Sequence, residues 1–175
     1  ARKSRGLGDV YKRQAKNTAV GSYALDANTT GGDNTALGYN ALGANTTANN
    51  NTAIGYNCLD ANTTGADNTS VGEASMSDNT TGSYNCGFGV MSLLRNTTSN
   101  NNTAFGYSSL KENTTGAQNV AVGRGALTSS TTASYNVAVG YLALEDNVTG
   151  NDNVAVGSFA LESNSAANNV AVGYV

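Results

Sequence analysis

The sequence contains no histidine, no tryptophan and no proline. Without histidine, the usual triads of nucleophile, histidine and acid are excluded. Charged residues make up only 12% of the chain, and a regular apolar pattern is present, so the composition is not that of a disordered segment. No apolar run approaches the roughly 18 residues that a membrane-spanning helix needs, and the sequence therefore predicts no membrane contact for this segment.

Positive charge is scarce beyond residue 16. Six of the nine basic residues lie within residues 1–16: Arg2, Lys3, Arg5, Lys12, Arg13 and Lys16. The rest of the chain carries three basic and eleven acidic residues, and this acidic balance argues against a nucleic-acid partner. Residues 9–14 resemble a translated sequencing adaptor, so residues 1–16 are expected to be a non-native, irregular tail. The alternative is a basic arm for an anionic partner.

Repetition is what the chain has in abundance. Copies of the pattern N-[TV]-A-V-G-Y-x-A-L-x-x-N-T-T-G-x-D start every 17 residues, and we number positions from the first asparagine of each copy. Those asparagines are Asn17, Asn34, Asn51, Asn68, Asn85, Asn102, Asn119, Asn136 and Asn153. A tenth start, at Asn169, comes one residue early. Because a fixed period decides the architecture, residues 17–175 are predicted to form one stacked repeat domain.

Within each copy, positions 2 to 4 alternate in size and predict a short strand that bends at the glycine of position 5. The Tyr-x-Ala-Leu segment predicts a second short strand, and N-T-T-G-x-D predicts turns. A helix is disfavoured by the recurring glycine and Asn-Thr pairs. Equal copies predict strands stacked about 4.8 Å apart. The expected fold is an all-β parallel solenoid, a β-roll of about ten 17-residue coils.

Two positions are predicted to supply the core. Position 4 carries Val20, Leu37, Ile54, Val71, Phe88, Phe105, Val122, Val139 and Val156, and position 9 carries Leu25, Leu42, Leu59, Leu93, Leu110, Leu127, Leu144 and Leu161. Burying two such side chains stabilises a coil by roughly 3–6 kcal/mol, which is less than the entropic cost of ordering 17 residues. The small residues at positions 3 and 5 are expected to admit a second copy, so the sequence predicts a homo-oligomer.

Asparagine also recurs in columns. The nine asparagines of position 1 are predicted to form a ladder of side-chain amides along the stack. A second column occupies position 12, with Asn28, Asn45, Asn62, Asn79, Asn96, Asn113, Asn147 and Asn164, and Ser130 replaces asparagine in one copy. Both columns are interpreted as structural.

No catalytic, cofactor-binding or metal-binding residues are predicted. The carboxylates scatter over several repeat positions, which favours solvated turns over a paired acid–base site, while a weak divalent-cation site between turns stays an alternative. Cys58 and Cys86 lie two copies apart on different segments, too far for a disulfide, and are interpreted as small buried residues.

Two columns suggest binding. Tyrosine recurs at position 6, where it either binds sugars or receptors or packs over glycine or at a chain interface. Adjacent threonines recur at positions 13 and 14 in most copies, and regular threonine arrays favour a second hypothesis, an ice-binding solenoid. Neighbouring residues in an extended segment point to opposite sides, however, so a Thr-Thr pair does not form two ranks on one face.

The motif N-[TS]-[AV]-x-G, followed by a segment of small residues, resembles the head repeats of trimeric autotransporter adhesins and certain bacteriophage tail-fibre repeats. The resemblance extends from Asn17 to Val175. It implies a left-handed β-roll, three chains per fibre, and an extracellular place on a bacterial surface or a virion tail. It also implies a host receptor or glycan as partner. The copies are a few residues longer than is usual in the adhesins, and the choice between adhesin and tail fibre stays open.

Overall fold

The computed structural model describes residues 16–174, which form an all-β solenoid. Its strands are β1 Thr18–Val20, β2 Thr35–Leu37, β3 Thr52–Ile54, β4 Thr69–Val71, β5 Cys86–Phe88, β6 Thr103–Phe105, β7 Val120–Val122, β8 Val137–Val139, β9 Val154–Val156 and β10 Val170–Val172. They make one parallel sheet in chain order. The predicted stacked β-solenoid is confirmed. We number the coils 1 to 10 by their strands.

Neighbouring strands pair position by position. Val122 pairs with Val139, and Ala121 pairs with Ala138. The short last copy keeps this register, since Val154 pairs with Val170. Like residues therefore sit on like along the whole stack. No helix among the described residues is long and apolar enough to cross a membrane. Apart from Lys16, the predicted tail lies outside the described residues, as does Val175.

The predicted second strand is wrong. Positions 6 to 9 form a turn, in which position 7 and position 9 take positive φ values, such as 55° at Asn40 and 51° at Leu42. Extended backbone needs a negative φ, so no strand can run through this segment. The turn nevertheless bonds from coil to coil, because the Leu42 amide donates to the carbonyl of Cys58 at 3.1 Å. Each coil is thus one short strand followed by hydrogen-bonded turns.

The core is a single row of position-9 side chains. Seven of them are fully buried: Leu42, Leu59, Met76, Leu93, Leu110, Leu127 and Leu144. In the outer coils, Leu25 and Leu161 are partly buried and pack against this row. Small residues at positions 3 and 8, such as Ala121 and Ala126, fill the space beside the leucines. This half of the expected core therefore lies inside.

The other half of the expected core is wrong, because the position-4 side chains face outward. These are Val20, Leu37, Ile54, Val71, Phe88, Phe105, Val122, Val139 and Val156, and all of them are half-buried or exposed. The strand alternates, so either position 3 or position 4 must point inward. The interior has little room there: a Cβ added at Gly87, in position 3, would lie 2.9 Å from Ser75 Oγ and 3.3 Å from Met76 Cε. Only a very small side chain fits.

The position-5 glycines pack closely from coil to coil, although each of them is half-buried or exposed. At Gly106 the φ value is 135°, and a Cβ would lie 2.5 Å from the carbonyl oxygen of Gly123 in the next coil. Position-3 alanines such as Ala104 are fully buried. The expectation that position 3 admits a second copy is therefore wrong, whereas the position-5 glycines remain partly exposed and the predicted homo-oligomer stays a prediction. Any copy that approaches the strands meets the side chains of positions 2 and 4 and the partly exposed glycines of position 5.

Candidate interaction surface

The position-1 asparagines close each coil from the inside. Asn34 shows the pattern: its Nδ2 donates to the carbonyl of Ala48 in the same coil at 2.8 Å, and its Oδ1 accepts from the Asn51 amide of the next coil at 2.9 Å. Eight of the nine are buried, and Asn17 in the first coil is half-buried. The column exists, but it runs mainly through backbone groups, with direct amide contacts in only some pairs, such as Asn85 to Asn68 at 3.2 Å.

The position-12 asparagines form a direct ladder of side-chain amides. Asn62 Nδ2 donates to Asn45 Oδ1 at 3.2 Å, and this contact repeats along the column as far as Asn113. The ladder stops at Ser130, whose shorter side chain cannot reach. Asn113 Oδ1 and Ser130 Oγ are both buried without a hydrogen-bond partner. One substitution therefore leaves two unsatisfied polar groups inside the solenoid.

The outer face of the sheet is free of charge, with an apolar residue at position 4 of every coil and threonine, cysteine or valine at position 2. Positions 2 and 4 project from it in every coil, and neither position carries a charged residue in any copy. Leu37 is 46% exposed and Phe105 is 41% exposed. At the centre the rings of Phe88 and Phe105 stack with centroids 4.8 Å apart. A continuous apolar strip of this kind on the outside of a protein marks an interaction surface. We call positions 2 and 4 together the strand face.

Position 6 borders this strip with tyrosines, which are largely exposed. The rings of Tyr39 and Tyr56 stack at 5.3 Å with an interplanar angle of 13°. In coil 7 the column carries Arg124 instead, whose guanidinium lies 5.7 Å from the Tyr107 ring and 5.5 Å from the Tyr141 ring. Its Nη1 donates to the Tyr141 hydroxyl at 3.0 Å. The guanidinium is thus held in one place between two aromatic rings, which sequence reasoning did not anticipate.

A shallow cavity of about 200 Å³ lies beside Arg124, where Gly125 provides no side chain. Its charged wall combines Arg124, Lys111 and Glu145. Burial raises the pKa of Glu145, and the nearby carboxylates Asp146 and Glu162 raise it further. Ligand pockets usually enclose about 300–1,000 Å³, so this cavity is small for a dedicated binding site. It belongs to the flank of the strand face.

The threonine pairs divide into two roles. At position 13 the hydroxyl donates to the carbonyl of the same position in the next coil, as Thr63 does to Thr80 at 3.0 Å. The position-14 threonines are exposed and form one rank: Thr30, Thr47, Thr64, Thr81, Thr98, Thr115, Thr132 and Thr149. A flat array needs the hydroxyls of both positions on one surface, but those of position 13 are used in hydrogen bonds between coils.

The cysteines lie on opposite sides of the coil wall, and both are free. Cys58 is buried at position 8, whereas Cys86 is half-buried on the strand face, which corrects the expectation that both are interior. Burial raises the pKa of Cys58 to about 11 and raises the pKa of Cys86 as well. Over residues 16–174, no three acidic or cysteine side chains converge to hold a metal ion.

Asp60 is the one carboxylate with a buried oxygen that lacks a partner in the described part of the chain. Its other oxygen accepts from Asn40 Nδ2 at 3.3 Å. Burial raises the pKa of this carboxyl group. The neighbouring Asp78 carboxylate raises this pKa further.

Comparison with models of known protein families, with curated proteins and with solved structures gave no match.

Proposed function

We propose that the chain is a non-enzymatic, rod-shaped repeat segment of a homo-oligomeric surface fibre that mediates attachment by multivalent display. The observation that carries the proposal is the ten-coil stack, which repeats the same outward residues at every coil. A rod that presents one weak contact many times gains avidity without needing a deep pocket. An adhesin head and a phage tail fibre both fit this role.

Internal hydrogen bonding supports a stiff rod. Buried asparagines bond across each coil and between coils, as Asn34 does to Ala48 and to Asn51. Adjacent coils also share a continuous backbone ladder through turns as well as strands. Because buried polar networks hold one arrangement when satisfied, the outward residues keep a fixed spacing of about 4.8 Å.

The apolar strand face supports self-association. Exposed apolar surface of this extent favours contact with another protein surface, and a second copy offers the same strip. Three chains per fibre is the number that the resemblance implies. On the free flanks, exposed tyrosines such as Tyr39 and Tyr56 offer aromatic surface to a host receptor or glycan. This function places the chain outside the cell, on a bacterial surface or a virion.

The ice-binding alternative has less support. Each position-13 hydroxyl is committed to a carbonyl of the next coil, which leaves a single exposed rank at the turn rather than a flat array. No other described feature favours it.

Two measurements test the proposal. Sedimentation velocity should show a concentration-dependent oligomer, and chains displayed densely on beads should bind glycans that the free chain binds weakly. Replacing Tyr39 and Tyr56 with alanine should reduce bead binding, while Thr47→Ala on the opposite flank should not. A monomer without glycan or receptor binding at any display density would overturn the proposal. Thermal hysteresis of a concentrated sample would favour the ice-binding alternative instead.

A further inference from the structure

Positive charge in the repeat domain is confined to three neighbouring coils. Arg95, Lys111 and Arg124 are the only basic residues from residue 17 onward, and they lie in coils 5, 6 and 7. The same coils carry a single acidic residue, Glu112, so three positive charges and one negative give them a net charge of +2. The other coils carry ten acidic residues and no basic one. Attraction for an anion is therefore restricted to about 10 Å of the rod, with acidic coils on both sides.

Arg124 is the cation of this patch that is free to bind a ligand. Arg95 and Lys111 share the carboxylate of Glu112, at 3.0 Å and 3.1 Å. Within residues 16–174 Arg124 makes no ion pair, and one of its N–H groups donates to the Tyr141 hydroxyl. A guanidinium has several further N–H donors, which a ligand can use. Because two tyrosine rings flank the group and hold it in place, a ligand does not have to order a mobile side chain.

Coil 7 also has a recess in its outer surface. Position 7 carries a side chain in coils 1 to 6 and in coils 8 and 9, whereas coil 7 has Gly125 there. The shallow cavity of about 200 Å³ lies at this glycine, and Tyr107, Lys111, Arg124 and Glu145 contribute to its lining. A cavity of this size accommodates one small polar ring rather than an extended ligand.

The lining favours one kind of ligand. A carboxylate matches the guanidinium, which can bind it through two parallel N–H···O bonds. Glu145 can accept hydrogen bonds from hydroxyl groups, but it would repel a second anionic group in the cavity. The Tyr107 ring offers a flat apolar surface to the C–H face of a sugar. One carboxylate, several hydroxyls and an apolar ring face together describe an acidic sugar. A long polyanion would extend over the acidic coils on both sides.

We propose that Arg124 and the cavity beside it bind the end residue of a glycan that carries a carboxylated sugar, such as a uronic acid or a sialic acid. This inference rests on the proposed function, and it specifies the class of glycan and its place on the rod. A single sugar should bind weakly, with a dissociation constant on the order of millimolar. Parallel chains in register bring their copies of the site to the same height, so a fibre gains avidity that one chain lacks.

The first experiment measures the binding of small probes to the full chain by ligand-observed NMR. Sodium glucuronate and sodium N-acetylneuraminate should bind. Glucose, which lacks the carboxylate, and acetate, which lacks the sugar ring, should bind at least about tenfold more weakly. Acetate binding as tight as that of the acidic sugars would reveal a general anion site and overturn the proposal. Glucose binding of the same strength would equally contradict it, because the carboxylate would then contribute nothing.

Charge variants locate the site. Arg124→Gln should weaken glucuronate binding at least about tenfold, since the carboxylate loses its charged partner. Arg124→Lys keeps the charge without the planar pair of donors and should retain only part of the affinity. Arg95→Gln makes the same change in net charge outside the cavity, and this matched control should bind like the unsubstituted chain. Arg124→Gln with unchanged affinity would place the sugar elsewhere.

A second variant tests the recess itself. Gly125→Asn introduces the residue that coils 2 and 3 carry at this position, where Asn40 and Asn57 have φ values of 55° and 48°. The added Cβ would contact Leu142 Cδ2, the end of a flexible side chain that can move aside. We expect glucuronate binding to be lost while cooperative thermal unfolding is retained. A folded Gly125→Asn variant that binds normally would show that the cavity is not used.

The outcomes separate this proposal from the function on which it rests. Glycan binding by densely displayed chains that is insensitive to both Arg124→Gln and Gly125→Asn would remove this site and leave the attachment role intact. A monomeric chain that binds no glycan or receptor at any display density would overturn both.

Discussion

In a conventional half-buried strand the large apolar side chains face the core. Here the small side chains face inward and the large apolar ones face outward. In coil 7, Ala121 points inward and is fully buried, while Val122 points outward and is 38% exposed. The core leucine of the same coil, Leu127, comes from a turn rather than from the strand. The sheet therefore supplies the wall of the solenoid, the turns supply its filling, and the larger strand residues are left for contact with something outside.

Truncating an inner and an outer side chain of the same coil should give the largest difference in stability. Leu127→Ala removes a fully buried side chain and leaves a cavity that the hydrogen-bonded coil cannot close, so we expect a loss of about 2–5 kcal/mol in the free energy of unfolding. Val122→Ala, in the same coil but on the strand face, should cost less than about 1 kcal/mol. Chemical denaturation at low protein concentration measures both. Equal losses would contradict the assignment of inner and outer sides.

High pH should destabilise the interior through one thiol. Burial raises the pKa of Cys58 from 9.0 to about 11, so the folded chain holds this proton more tightly than the unfolded chain. The associated stability is fully present below pH 9 and is lost as the pH rises to 11, on the order of 2 kcal/mol. The denaturation midpoint should show this decline.

The control is Cys58→Ala, which matches the alanine of most copies at position 8 and should remove that part of the pH dependence. Cys86 provides the contrast between the two sides. A thiol reagent should modify Cys86 in the folded chain and should reach Cys58 only after unfolding. Comparable labelling rates at both cysteines would show that the coil wall is open.

The smallest expected effect is an increase in stability. Ser130→Asn extends the position-12 ladder across its gap, so the new amide can donate to Asn113 Oδ1, which now lacks a partner. We expect an increase of about 1 kcal/mol in the free energy of unfolding. Ser129→Asn, one position earlier and half-buried, is the matched control and should change little. A neutral or destabilising Ser130→Asn would mean that the interior at coil 7 cannot accommodate the longer side chain.

The period alone predicted the stack, its register and the leucine row, because 17-residue spacing leaves one way to place like residues beside like. The period could not predict which side of the strand faces the interior. An alternation such as Thr103-Ala104-Phe105 admits both orientations, and the usual preference for large residues inside favoured the wrong one. The free volume inside the coil decides, and that volume depends on how the turns fold.

The conformation of the turns was the second feature that the sequence did not predict. Leucine rarely takes a positive φ, yet Leu110 has a φ of 49° and is fully buried. A local preference read from sequence favours an extended segment there. Burial of the side chain and the bond from the Leu110 amide to Ala126 at 3.0 Å outweigh that preference. The contacts of Arg124 were also not predicted, since Tyr107 and Tyr141 are 17 residues away on either side.

The gap in the amide ladder at Ser130 also has a mechanical consequence. A rod pulled from its two ends carries the load through every coil junction in series, and each coil contacts only its neighbours. Such an assembly yields at its weakest link. From the junction of coils 6 and 7 to that of coils 8 and 9, the amide bridge of the preceding coils is missing, since Asn147 and Asn164 donate only within their own coils. Tension applied along the rod should therefore rupture it in this part first.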